Sequence, residues 1–375
     1  MVGNFYLARH NDKRRALEMA VKALALAEQA GDIAQQSLAL NRAAFVQWHS
    51  GDFEQSQLNA GEALRRAKLG GDFFGAANAL RVSAMCCINL GDFKRAVAYC
   101  AEGRELLRVC GLEGIDLDLF IISSEADAHF SKTEYAQARE IHVYLAEHHL
   151  PDKSAISHAH SQCTIAGIDV LMGAEETGIR ERLNLAKSLV TAIPYRRGIT
   201  LCDIYFAELD LREGRVHEAK RFYEQCFISS RTETDEESAT YCLEKLADLG
   251  FDVHSLQTRL NWAVVALISG KKSGNAVTVH HALRCLGDIF SDEGNPSSAL
   301  ALLDLALEGF TSMDIHQRRA ECMTRMGDIF QQQNELSKAA DMWTTAIQLF
   351  TLSSQTSEIQ MVREKLKLMG SNVEK

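Results

Sequence analysis

Proline is scarce in this chain, 3 in 375 residues, while alanine and leucine abound. That balance favours helix over sheet. No uninterrupted apolar run reaches eighteen residues, so no transmembrane helix is expected. The opening "MVGNFYLARHNDKRR" lacks the basic-then-apolar order of a signal peptide. Positive charge is outnumbered, 40 Lys and Arg against 50 Asp and Glu, a net charge of −10 that argues against a nucleic-acid binder relying on phosphate contacts. No P-loop of the form GxxxxGK[ST] occurs; the nearest string, "SGKKSGNA" at 269–276, has the wrong spacing. Any NTPase module would therefore lie upstream.

Metal-binding and catalytic patterns are thin as well. The ten cysteines (Cys86, Cys87, Cys100, Cys110, Cys163, Cys202, Cys226, Cys242, Cys285 and Cys322) form no CxxC pair. Most fall among apolar helical residues and read as buried free thiols in a reducing compartment, which implies a cytoplasmic location. A zinc or disulfide framework is the alternative. The pairs His148-His149, His158-x-His160 and His280-His281 point to different sides of a helix, and an H-x3-H pair backed by a carboxylate is missing. Cys86-Cys87 has no nearby cation to lower a thiol pKa. An enzyme would need clustered ligands on inner helices. None is visible, so the expectation is no enzyme, no metal and no cofactor.

What is present is a repeat. Apolar residues make up 46%, enough for a large core. Counting back from Gly327 and Gly287 in steps of 40 to 42 gives Ala247, Ala207, Ala166, Ala126, Ala84, Ala44 and Asn4; eight of these nine are Ala or Gly. Twelve residues later runs a second small series: Ala16, Ser56, Ala96, Ala138, Gly178, Ala219, Arg259, Ala299 and Ala339. Small residues at fixed phase let two helices approach closely. That explains why "RCLGDIF" at 284–290 and "TRMGDIF" at 324–330 tolerate a mid-helix glycine costing about 1 kcal/mol. A third series, seven after the first, is Asn11, Gly51, Gly91, Thr133, Gly173, Gly214, His254, Gly294 and Asn334; seven of nine are Gly or Asn, which tolerate the left-handed conformation that ends a helix. Gly31, Gly71, Pro194 and Gly274 mark the breaks between repeats. The unit is helix, turn, helix, turn. Nine stacked pairs bury what one pair cannot.

Leu286-Gly287-Asp288-x-Phe290 followed by Ala299-x3-Leu303-x2-Ala306, and Met326-Gly327-Asp328-x-Phe330 followed by Ala339-x3-Trp343-x2-Ala346, resemble the tetratricopeptide repeat (TPR). The resemblance spans nearly the whole chain, strongest near 38–110 and 275–350 and weakest at 150–200 and 250–275. A period of forty exceeds the usual thirty-four. It is similar to the longer-helix subgroup that includes kinesin light chain and the sensor regions of signal-transduction ATPases. The C-terminal third resembles TPR-like regions of fungal proteins, which often follow an NLR-like NTPase module. The implied fold is an all-α, right-handed α-solenoid of about nine repeats over 1–352, with a capping helix at 353–370 and a disordered tail at 371–375. The first repeat starts part-way through its first helix, which suggests a longer parent or an open, self-associating end.

In this repeat family the first helices line a concave groove where ligands lie. The resemblance places Asn41, Phe45 and Trp48, then Arg81, Met85 and Ile88, on that face. Such a patch suits an extended peptide or helix with an apolar anchor. One after the small position, Asp127, Glu208, Asp248, Asp288 and Asp328 would stack into an acidic stripe for a Lys/Arg-rich segment. The alternative for these acids is local pairing, as Arg284 with Asp288. The run "SSRTETDEES" at 229–238 reads as a polar loop. The expected function is a non-catalytic protein-interaction scaffold. Its rivals are the sensor or autoinhibitory arm of an upstream NTPase and a self-associating structural protein.

Overall fold

The computed structural model describes residues 12–149, 155–173, 176–193, 195–233, 236–249 and 255–373. Eighteen helices and no strands are found among them. The first is α1 (Lys13–Gln29), the second helix of the expected first pair. Its expected partner around Asn4, and the open end proposed there, lie outside the described residues. Eight helical hairpins follow: α2 (Ile33–His49) with α3 (Phe53–Gly70), α4 (Phe73–Leu90) with α5 (Phe93–Val109), α6 (Asp116–Ser131) with α7 (Tyr135–His148), α8 (Ala155–Leu171) with α9 (Glu176–Ala192), α10 (Arg196–Arg212) with α11 (Val216–Glu233), α12 (Glu236–Asp248) with α13 (Leu256–Ser273), α14 (Ala276–Asp292) with α15 (Pro296–Ser312), and α16 (His316–Gln332) with α17 (Leu336–Leu352). The helix expected over 353–370 runs Thr356–Val373 as α18, and residues 374–375 of the expected tail lie outside the described residues.

The chain divides into two compact units. The first comprises Met1–Ser131, Tyr135–Cys242 and Ser273–Asn275; the second comprises Lys132–Glu134, Leu243–Lys272 and Ala276–Lys375. In the first unit, α8, α9 and α10 close around Val170, Ile179, Leu183, Val190, Tyr205 and Leu209. In the second, α17 and α18 enclose Trp343, Phe350 and Val362.

The Gly-Asp turns show why the chain breaks where it does. Gly51 and Gly91 take φ of 76° and 79°, the left-handed conformation that ends a helix. Every described member of that third series has positive φ, including Thr133 and Asn334. After Gly51 and Gly91 the next residue, Asp52 or Asp92, caps the following helix. The Asp52 carboxylate accepts from Gln55 N at 3.3 Å, and Asp92 from Arg95 N at 3.2 Å. One dipeptide thus closes one helix and caps the next.

The mid-helix glycines do something else. A Cβ on Gly287 would lie 2.8 Å from Leu303 Cγ, and one on Gly327 2.5 Å from Trp343 Nε1. In each hairpin a large residue of the second helix fills the space that glycine leaves on the first.

Two local readings change. In α9 it is Ile179, not Gly178, that occupies the inward phase: Ile179, Leu183, Ala186 and Val190 are buried while Gly178 is exposed. The repeat there is one residue longer, so the periodic count slips. The run at 229–238 is largely helical, because α11 extends to Glu233 and α12 begins at Glu236. Within it Ser230 and Ser238 are buried. Among the described residues one helix, α4, is long and apolar enough to cross a membrane; 61% of it is buried within the fold.

Candidate functional site

In the first unit, the expected groove residues come together on neighbouring first helices. Phe45 and Trp48, three apart on α2, stack with ring centroids 6.4 Å apart, and His49 meets both rings edge-on. Trp48 Nε1 donates to the Met85 carbonyl of α4 at 3.2 Å, which fixes the indole across the two helices. Asn41 is buried, and its Nδ2 donates to the Gly75 carbonyl at 3.1 Å, so it ties α2 to α4. Ile88 is half-buried and packs against the core shared by α4, α5 and α6. Phe45, Trp48, Arg81 and Met85 remain partly accessible.

Arg81 stands at the centre. Its Cζ lies 5.3 Å from the Phe45 centroid and 5.9 Å from that of Phe120 on α6. Its Nη1 meets Met85 Sδ at 3.3 Å, and its Nε is buried without a hydrogen-bond partner. Burial pushes the guanidinium down to about 10, with only the Cys100 sulfur acting the other way. Phe120, an exposed ring, was missed in the sequence because it lies six residues before Ala126, outside the groove offsets. Its spacing of thirty-nine from Arg81, close to one repeat, is the signal that could have found it.

The five acids separate. Asp127 is exposed on α6. Glu208 on α10 is buried and accepts from Tyr223 Oη at 2.7 Å and Tyr241 Oη at 2.9 Å. In the second unit Asp248, Asp288 and Asp328 form rungs with bases 36 or 37 residues further on. Arg284 bridges Asp248 and Asp288, the latter at 2.7 Å, with Glu321 at 3.7 Å. Arg325 meets Asp288 at 3.2 Å and also Asp292. Lys365 of α18 donates to both Asp328 oxygens at 2.6 Å. Burial would raise the Asp248 carboxyl, but the charges of Arg284, His281 and Arg318 hold it below its usual range. Asp288, more enclosed, is pushed up to about 6 by burial despite Arg284 and Arg325.

Asp248 also joins His281 and Cys285, four apart on α14, with potential ligand atoms all within 4.8 Å of one another. The spacing here is H-x3-C rather than the absent H-x3-H. The donor set is one a zinc ion accepts, but Arg284 already holds the Asp248 carboxylate and burial drives the Cys285 thiol up. The ten cysteines are free thiols, nine of them buried. Cys86 and Cys87 are pushed by burial to about 12 and about 11, the reverse of an activated nucleophile.

No family model matches the chain. No curated protein matches it either. Among solved structures, the chain resembles a Rap protein complexed with competence and sporulation factor, at 10% identity and a TM-score of 0.56, over 90% of this chain and 98% of that one. Two further matches are a signal-transduction ATPase with a tetratricopeptide repeat sensor from Pyrococcus horikoshii (14% identity, TM-score 0.46, 82% of this chain and 45% of that one) and the apo quorum sensor NprR from B. thuringiensis (10%, 0.45, 87% and 99%). With its consecutive helical hairpins and no strand among the described residues, the chain shares an all-α helical-repeat fold with the Rap protein.

Proposed function

We propose that this chain is a non-catalytic protein-interaction scaffold. Its first unit binds an extended segment of a partner protein along the face made by α2, α4 and α6. The observation that carries this is the accessible cluster of Phe45, Trp48, Arg81, Met85 and Phe120, drawn from three successive first helices. Aromatic residues and arginine grouped in this way are the side chains that dominate binding energy at interfaces. The solved neighbour complexed with a factor supports the reading at the level of architecture. The acids enter it differently. A Lys/Arg-rich segment, as the acidic series suggests, would have to displace Arg284, Arg325 and Lys365 from Asp248, Asp288 and Asp328. The free thiols fit a reducing setting, and the proposal places the scaffold in the cytoplasm.

The test is selection of displayed random peptides on the immobilised protein, followed by binding to Phe45→Ala and Trp48→Ala. Peptides that bind the parent and lose affinity on both variants support the face. No selected peptide, or peptides that bind both variants as tightly as the parent, would sink it.

A further inference from the structure

We infer that Arg81 is the receptor for an acidic side chain, Asp or Glu, carried in the middle of an otherwise apolar bound segment. The inference rests on the α2–α4–α6 face being the binding face. Its ground is a charge left without a counter-charge. Several arginines elsewhere in the fold meet carboxylates: Arg284 meets Asp288 at 2.7 Å, Arg259 meets Asp292 at 3.0 Å, and Arg139 meets Asp169 at 2.7 Å. Among the described residues, no carboxylate pairs with Arg81. Its neighbours are two phenyl rings and a thioether, and its Nε is buried and unbonded. A cation partly withdrawn from water and left unpaired opposes folding. An incoming carboxylate would relieve that cost, and so binding it is favoured more than at a solvated arginine.

The geometry specifies the shape of the ligand. The rings of Phe45 and Phe120 come from the helices on either side of α4 and lie near the guanidinium carbon. Nε is enclosed while Arg81 as a whole stays partly accessible, so the terminal nitrogens of the guanidinium are the part that meets an incoming carboxylate. Because aromatic surface lies on both sides, a segment must carry apolar residues before and after its acid to cover the face. A chain-terminal carboxylate would leave one side bare. Trp48 Nε1 is already donated to Met85, so the indole offers area to the apolar flank rather than a hydrogen bond.

The test uses two libraries of short random peptides, one displayed with a blocked and one with a free C-terminus, selected on the full chain and filtered for loss of binding to Phe45→Ala. The expected result is a selected motif with Asp or Glu between apolar residues. Changing that acid to Asn or Gln should weaken binding about ten- to a hundredfold on the parent and little on Arg81→Gln. Face-dependent peptides without acid enrichment would overturn the inference while leaving the binding face standing. So would acidic peptides that bind Arg81→Gln as tightly as the parent. Peptides that lose affinity only when the C-terminus is amidated would reassign the site to a terminal carboxylate and overturn the internal acid. An absence of face-dependent peptides would remove the binding face and the inference together. A thermal melt guards against misfolding. An uncompensated cation predicts that Arg81→Met melts no lower than the parent, whereas a lower melt without any change in peptide binding would mean that Arg81 is there for packing.

Discussion

Gly327 and Gly61 show that the same residue type carries opposite energetics at different places in one fold. A methyl group on Gly327 would meet the indole of Trp343 at 2.5 Å, and that ring is buried and held by Thr324 O and Asp328, both at 3.2 Å. The ring has nowhere to go. Gly327→Ala should therefore cost up to about 2 kcal/mol, an overpacking penalty of about 1–3 less the helix-propensity gain of about 1. Gly61, on the exposed face of α3 with nothing within 4 Å of an added Cβ, should behave the other way. Gly61→Ala should stabilise by about 1 kcal/mol. Urea midpoints at unchanged slope would read both signs. Two substitutions that shift in the same direction would refute the close-approach account.

At the scale of the helix, charge decides more than propensity. Arg284 links α12, α14 and α16 by holding Asp248, Asp288 and Glu321. Arg284→Met strands carboxylates that are only partly accessible, and should lower stability by about 2–3 kcal/mol in urea denaturation, below the value for a fully buried pair. Lys365→Met removes a more exposed rung and should cost about 1 kcal/mol or less.

Histidines set a pH response in the first unit. His142 on α7 is buried with neither ring nitrogen hydrogen-bonded, and His160 on α8 meets Tyr195 Oη at 3.3 Å. Burial pushes His142 down to about 4 and His160 to about 3, from an ordinary value of 6.5. Folded, they stay neutral, while in the unfolded chain they take up protons below pH 6.5. Their contribution is intact above that pH and is lost as pH falls toward 4. The melting temperature should drop across this window, and His142→Phe should flatten the drop. Parallel curves for parent and variant would contradict the assignment.

The sequence carried some of these elements openly. Small residues at a forty-residue period and left-handed turn formers at a fixed offset are sterically required, so they stand out in a single chain. Ion-pair rungs did not stand out in the same way. The acids Asp248, Asp288 and Asp328 share a phase, but their bases, Arg284, Arg325 and Lys365, drift by a residue because long side chains reach across a register difference that a packed methyl cannot. The slip at Gly178 and Ile179 has a different origin, one residue added ahead of Ile179, and the phase is regained at Ala207 and Ala219. At the candidate site, Phe45, Trp48 and Arg81 were legible from phase, and Phe120 was not, because α6 presents it from an earlier turn.

For the molecule as a whole, the division into two compact units falls between Cys242 and Leu243, inside α12. An array in which each hairpin touches only its neighbours gains stability rung by rung, and cooperativity weakens where the rungs thin out. Tryptophan placement makes this measurable. Trp48 lies in the first unit, and Trp262 and Trp343 lie in the second. Variants that retain Trp48 alone or Trp343 alone should show different urea midpoints by fluorescence. Coincident transitions would mean that the two units melt as one.

The ladder of the second unit has a consequence for how such a chain can grow. Each acid finds its base one repeat later, so the pairing rule is carried by the spacing and not by any particular repeat. A tandem copy of residues 288–327, inserted after Gly327, would bring a second copy of the rung Asp288–Arg325 at the existing separation and leave Asp328 facing Lys365 as before. Duplication in whole units therefore keeps every rung of the ladder paired, and a gene built this way can lengthen or shorten its protein without rewriting either neighbour of the new segment.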